Sequence, residues 1–212
     1  MELTKQKNYQ QAFDLASASL KEKDLKERAE KSGAGYERDQ EGEKILIPFF
    51  SETYNIRFPQ IEFYSPGKKT VSLVTRALLL HYLLRADGNP LTGEWVGYKD
   101  IPGGLLYAGV FARRVTEPLL RKFGKSGKLF REVGFRFGGE PAGVGDASFH
   151  LLALPRVPLQ YVLWEGDEEF PPSAQLLFDS SIDHYLPLED IVVLGQITTG
   201  RLISLSDRLT EH

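Results

Sequence analysis

Apolar positions along the chain repeat with two different periods, and the change of period marks the elements. Phe13, Leu15 and Ala16 give an apolar stripe within 8–32, and Lys21-Glu22-Lys23-Asp24 reads as a solvated turn or face. The pattern predicts a helix there, ended by the breakers Gly33 and Gly35. Alternation over Lys44–Phe50, Tyr54–Phe58 and Ile61–Tyr64 predicts three strands, with a bend at Pro59 and a turn at Ser65-Pro66-Gly67. Residues 70–86 carry Val71, Val74, Leu78 and Tyr82 at helical spacing, with Thr70 as the expected cap. Leu79, Leu80, Leu83 and Leu84 make this helix apolar nearly all round, so it is expected to be buried.

A loop is expected from Asp87 to Gly104, then a helix over 105–123 that kinks or restarts near Thr116, because Pro118 follows Glu117. Lys128–Phe137 reads as helix. Ala147–Leu154 and Leu159–Glu165 read as a hairpin joined through Pro155-Arg156. Residues 187–208 read as a C-terminal helix, with Glu189 and Asp190 favouring its N-terminal dipole. The fold class that follows is α+β: a small, mostly antiparallel sheet packed against several helices, with a helical N-terminal arm. The expected division is an arm over 1–40 and a single domain over 41–212.

Composition narrows the chemistry more than the fold. A chain of 212 residues can bury a sizeable core without disulfides. It has no cysteine, so it offers no disulfide, no thiolate metal site, no cysteine-held iron–sulfur cluster and no cysteine nucleophile. The formal net charge of −3 and the scattered aromatics point away from nucleic acid. An apolar run such as Ala77–Leu80 is too short to span a membrane, and no signal-peptide core is visible, so a cytoplasmic location is expected.

Charge is unevenly distributed. Between Arg113 and Arg136 eight basic residues face only Glu117 and Glu132, whereas from Glu140 to Asp190 Arg156 is the sole Lys or Arg. Two solvated faces explain this, and so does an anion-binding stripe beside an acidic site. The acidic half holds Trp164-Glu165-Gly166-Asp167-Glu168-Glu169-Phe170, four carboxylates in five residues at a strand end. Such crowding requires compensation by water, cations or arginines. Asp167, Glu168 and Glu169 are therefore candidate ligands for a hard cation or acid/base groups, against the plainer reading of a solubilising turn.

Asp179, Asp183 and His184 form a second candidate. On a helix the two carboxylates would sit one turn apart with the imidazole beside them, a donor set suited to Mn, Fe or Zn. The plainer reading is a capped helix start. The glycine-rich stretch Phe137–Asp146 lacks the strand-before, helix-after setting of dinucleotide loops and reads as a hinge or tight turn, with Asp146 at its exit. Arg156 is either an anion clamp, a counter-charge or a surface turn residue. Trp95, Tyr98, Tyr107, Tyr161 and Trp164 are expected to line a pocket or to fill the core. Ser148 and Ser173 lack a nucleophile-elbow setting.

The run Gly145-Asp146-Ala147-Ser148, Leu154-Pro155-Arg156-Val157-Pro158-Leu159, Leu163–Pro171 and Leu177-Phe178-Asp179 resembles the uncharacterised family called domain of unknown function 3786. Ile101-Pro102-Gly103-Gly104 with Tyr107 and Phe111, and Pro118-Leu119 with Phe123-Gly124, fit the same resemblance. It covers most of the chain after about residue 40 and supplies no activity and no catalytic residues. It implies an anaerobe setting and an accessory role near corrinoid, one-carbon or redox enzymes. Some relatives carry an iron–sulfur domain, which this cysteine-free chain lacks.

Three expectations follow, the least specified being an enzyme of unlisted type. The first is a small-ligand or divalent-metal-binding domain whose site uses Asp146, Arg156, Trp164, Glu165, Asp167, Glu168 and Glu169, or for a metal Asp179, Asp183 and His184. The second is a non-enzymatic interaction protein that docks a partner through its basic stripe or N-terminal helix.

Overall fold

The computed structural model describes residues 2–65, 67 and 70–210, with side chains from residue 6. Its α+β architecture divides into two compact units. The first holds residues 1–90, 154–156 and 184–190, and the second holds 91–153, 157–183 and 191–212.

In the first unit the expected N-terminal helix is two helices, α1 (Glu2–Lys21) and α2 (Leu25–Ser32). Asp24 separates them, because its side chain accepts the Glu27 N–H and so starts a new helix. Gly33 closes α2 at φ 71°, but Gly35 is not a breaker: it opens strand β1 (Gly35–Asp39). That strand is polar and exposed, so no apolar alternation announces it. β2 (Gly42–Phe49), β3 (Glu52–Phe58) and β4 (Glu62–Tyr64) complete an antiparallel meander in the order β1-β2-β3-β4.

Register places Ile45 against Ile56 and Ile47 against Tyr54, all buried on one face. Strand β2 stops one residue short of the expected Phe50, which takes φ 56° in the turn to β3. The buried, apolar α3 (Leu73–Arg85) packs against α1 and α2. Its cap is Ser72 rather than Thr70: the Ser72 hydroxyl accepts the Thr75 N–H at 3.2 Å. The Ser65-Pro66-Gly67 turn lies partly outside the described residues.

The second unit is built on a five-stranded sheet. The stretch read from sequence as a loop contains β5 (Trp95–Gly97) and a short 3-10 turn, Tyr98–Asp100. Next come α4 (Gly104–Phe111), a π-helical segment Ala112–Thr116, and α5 (Glu117–Phe123). The expected interruption at Pro118 is thus a widening rather than a new start. Proline lacks an N–H, so one carbonyl of the preceding turn loses its donor. The ladder shifts to the wider spacing just before it, with Glu117 N–H bonding the Ala112 carbonyl.

α6 (Gly127–Arg136), capped by the Ser126 hydroxyl, leads to the two-residue β6 (Glu140–Pro141). The predicted hairpin is β7 (Ala147–Leu154) and β8 (Val157–Trp164). A further strand, β9 (Ser173–Asp179), pairs with β8 on one side and β5 on the other, giving the order β5-β9-β8-β7-β6. The last helix, α7 (Leu188–Thr210), carries the expected apolar spacing. No helix of the described residues is long and apolar enough to cross a membrane. The core of this unit is aromatic, with Phe149 and Tyr161 stacked at 5.3 Å and Phe130 tilted against Phe149 at 5.0 Å.

Candidate functional site

The acidic turn after β8 is exposed, and its own backbone compensates the charge. Asp167 Oδ1 accepts the Phe170 N–H at 2.7 Å and the Glu169 N–H at 2.9 Å. These two bonds hold its carboxyl below the ordinary aspartate range. Glu165 Oε1 accepts the N–H of Gly127 at the start of α6, where a negative group also meets the positive end of the helix. Asp146 Oδ2 accepts the Glu165 N–H at 2.8 Å, tying the glycine-rich loop to the strand end. Gly145 is required in that loop: it sits at φ 65°, and a Cβ there would lie 2.7 Å from Val162 Cγ1. Trp164 is half-buried, and Glu168 and Glu169 are exposed. The depression at this turn measures about 210 Å³ and is bordered by Lys125.

The second candidate set is not helical. Asp179 ends β9, and Asp183 and His184 lie in the 3-10 turn Ile182–His184. The helical spacing that motivated the group is therefore absent. Asp179 is 4% exposed, and backbone and hydroxyl donors enclose it. It accepts the N–H groups of Thr92 (3.1 Å), Gly93 (2.8 Å) and Ser181 (3.0 Å), and the Ser181 hydroxyl at 2.6 Å. Burial opposes its charge, but these donors outweigh burial and hold its pKa at about 2. Asp179 thus pins the Thr92–Gly93 loop ahead of β5. His184 belongs to the first unit, where its Nδ1 lies 2.6 Å from Asp87 Oδ2. Arg156, in the hairpin turn, donates its backbone N–H to the Tyr82 hydroxyl at 3.1 Å. Among the described residues Arg156 forms no ion pair, and no three His, Asp or Glu side chains are placed to hold a metal ion.

Side chains converge elsewhere in the second unit. A cavity of about 390 Å³ opens between the Tyr98–Asp100 turn, α4 with its π segment, and β9. Its floor is apolar: Tyr98 stacks on Phe111 with centroids 4.4 Å apart and planes 9° apart, and Ala108 and Leu176 extend the surface. Phe178 meets Phe111 edge-on at 6.1 Å and holds it from behind. Lys99, Asp100, Thr116 and Gln175 supply the polar part of the lining.

The local sequence explains this shape. A Cβ at Gly104 would overlap the Tyr98 carbonyl, so glycine lets α4 start against the 3-10 turn. A Cβ at Gly97 would lie 3.0 Å from Asp100 Oδ2, so the bare backbone there leaves room for the carboxylate. The widened turn Ala112–Thr116 shapes one wall, a type of distortion often found at functional sites. Above the cavity wall α4 consists of Gly-Leu-Leu-Tyr-Ala-Gly-Val-Phe, with no charged residue, and exposes Leu105 (74%) and Leu106 (86%).

Of the aromatic residues considered from sequence, Tyr98 lines the cavity, Tyr161 fills the core, and Trp95 and Tyr107 are exposed. Sequence reasoning passed over Lys99, Asp100 and Gln175, and noted Phe111 and Thr116 without assigning either to a site. The two signals that pointed there were Pro118 after an uncharged helix and the Ile101–Gly104 turn. The description Domain of unknown function (DUF3786) matches residues 24–201 as a family. No curated protein and no solved structure matches the chain.

Proposed function

The chain belongs to the family described as Domain of unknown function (DUF3786), a description that assigns no activity, and we propose from its geometry that it is a small-molecule-binding domain. The site is the cavity between the Tyr98–Asp100 turn, the π segment and β9. One observation carries the reading: an apolar, aromatic floor and a few polar groups meet in a concavity of about 390 Å³, within the range of small-ligand sites. The expected ligand has a flat, largely apolar body to lie against Phe111 and Leu176. A polar end would meet Lys99, Asp100 and Gln175. The acidic turn then serves as structure, since backbone N–H groups already occupy its Asp167 carboxylate.

A thermal-shift screen of a metabolite collection tests this, with Ala108→Trp as the control that fills the cavity. The expected result is a compound class that raises the melting temperature of the native chain and leaves the variant unmoved. No stabilising compound, or equal stabilisation of the variant, contradicts the reading.

A second reading rests on a different observation, the uncharged and exposed α4. Leu105 and Leu106 form an apolar centre, and Arg113 and Arg121 lie exposed on the segments that follow. The matching partner is a protein surface with an apolar centre and an acidic rim. Leu106→Glu and the pair Arg113→Glu with Arg121→Glu would each abolish such a complex. Retention of the complex by both variants contradicts this second reading.

A further inference from the structure

A partly buried cation is costly unless a counter-charge or a hydrogen-bond acceptor meets it. Two arginines of the first unit show the contrast. Arg28 donates to the carbonyls of Leu84 (3.3 Å) and Ala86 (3.2 Å) and lies 3.5 Å from Glu27. Arg76, half-buried on α3, has no such partners among the described residues. Its guanidinium carbon lies 4.2 Å from the centre of the Phe13 ring and 5.3 Å from that of Phe63. The rings hold the head group by cation–π attraction. Its Nε–H is buried and has no hydrogen-bond partner among the described residues. Among the described residues its head group forms no ion pair.

Arg76 faces a cavity of about 850 Å³ that Gln60, Ser65 and Thr70 also line. The carboxylate in this lining, Glu62, accepts the Tyr64 hydroxyl at 2.6 Å. Ile61, on the same wall, takes φ 59°, a left-handed conformation that is costly for a β-branched residue. Such strain persists only where the surroundings enforce it, and it gathers at ligand sites.

We propose that this cavity binds the phosphoryl group of a small organic phosphate. The guanidinium of Arg76 supplies a planar pair of donors, and Ser65, Thr70 and Gln60 supply neutral hydrogen-bonding groups around it. Phosphate suits this set because its several oxygens accept from donors in different directions, and the cavity leaves room for the organic body. The inference does not depend on the Tyr98–Phe111 cavity, and either can fail alone.

The test is a ¹H–¹⁵N NMR titration of the full chain with inorganic phosphate and with phenyl phosphate, chloride holding the ionic strength constant. The expected result is a saturable shift of the Arg76 Nε–H resonance and of the Ser65 and Thr70 amides, with phenyl phosphate binding more tightly. Arg76→Lys keeps the charge and loses the planar donor pair, so affinity falls by about tenfold. Arg76→Met loses binding. If Arg76→Met does not fold, Thr70→Val is the second variant, with affinity down by about threefold for one lost hydrogen bond. No saturable shift, saturation that leaves Arg76 unmoved, or full affinity in Arg76→Lys overturns the proposal.

Discussion

The acidic turn Glu165–Phe170 and the cavity floored by Tyr98 and Phe111 lie in the same unit and are opposites in construction. The turn concentrates charge, yet it is exposed and shallow, and backbone N–H groups of the turn itself and of Gly127 meet its Asp167 and Glu165 carboxylates. The cavity has few charges, and it joins an apolar floor to polar groups drawn from three separate stretches of chain. Charge crowding in sequence therefore marks a place where compensation is needed, and local backbone can meet that need. A concave site needs elements brought together over long range, which no local crowding reports.

Asp179 gives the strongest way to break this comparison, because it is the buried form of the same backbone-amide capture. Asp179→Ala leaves the Thr92, Gly93 and Ser181 donors unpaired. We expect it to lower unfolding free energy in urea by about 2–4 kcal/mol. A near-zero effect would remove the structural account of these carboxylates.

Acid adds the next largest effect. The Asp179 pKa is depressed from 3.8 to about 2, so its contribution is complete above about pH 4 and fades as pH falls towards 2. The shift corresponds to about 2 kcal/mol. The expected outcome is that this acid-dependent loss is present in the native chain and missing from Asp179→Asn, measured by urea midpoints across that range.

Within the exposed turn the effects shrink. Asp167→Ala removes the acceptor for two N–H groups that water can reach, so it should lower the midpoint less than Asp179→Ala and leave ligand stabilisation intact. Glu168→Gln with Glu169→Gln should leave the midpoint unchanged and abolish no binding. A loss of ligand stabilisation in either variant would move the site back to the turn.

The strands and helices that carry their own apolar rhythm were legible in the sequence: β2, β3, α3, the β7–β8 hairpin and α7. The elements that escaped owe their form to partners. β1 is polar and exposed and becomes a strand by pairing with β2. β5 is three residues long, and among the described residues it pairs with β9 alone. β9 follows Pro171-Pro172 and lies between β8, the preceding strand, and β5, which is distant in sequence, so Asp179 reads from sequence as part of a helix when it is the last residue of a strand. The candidate cavity was legible only in fragments. Tyr98 and the proline-interrupted helix were visible, but Lys99, Asp100, Thr116 and Gln175 look like ordinary surface residues until β9 is placed beside the 3-10 turn.

Mapping a stabilising compound on the backbone amides by ¹H–¹⁵N NMR tests the central claim most directly. The account predicts saturable shifts at Tyr98–Asp100, Ala108–Thr116 and Ala174–Leu177, with Gly166–Phe170 unmoved. Shifts that saturate at Gly166–Phe170 and spare the Tyr98–Thr116 wall would contradict it.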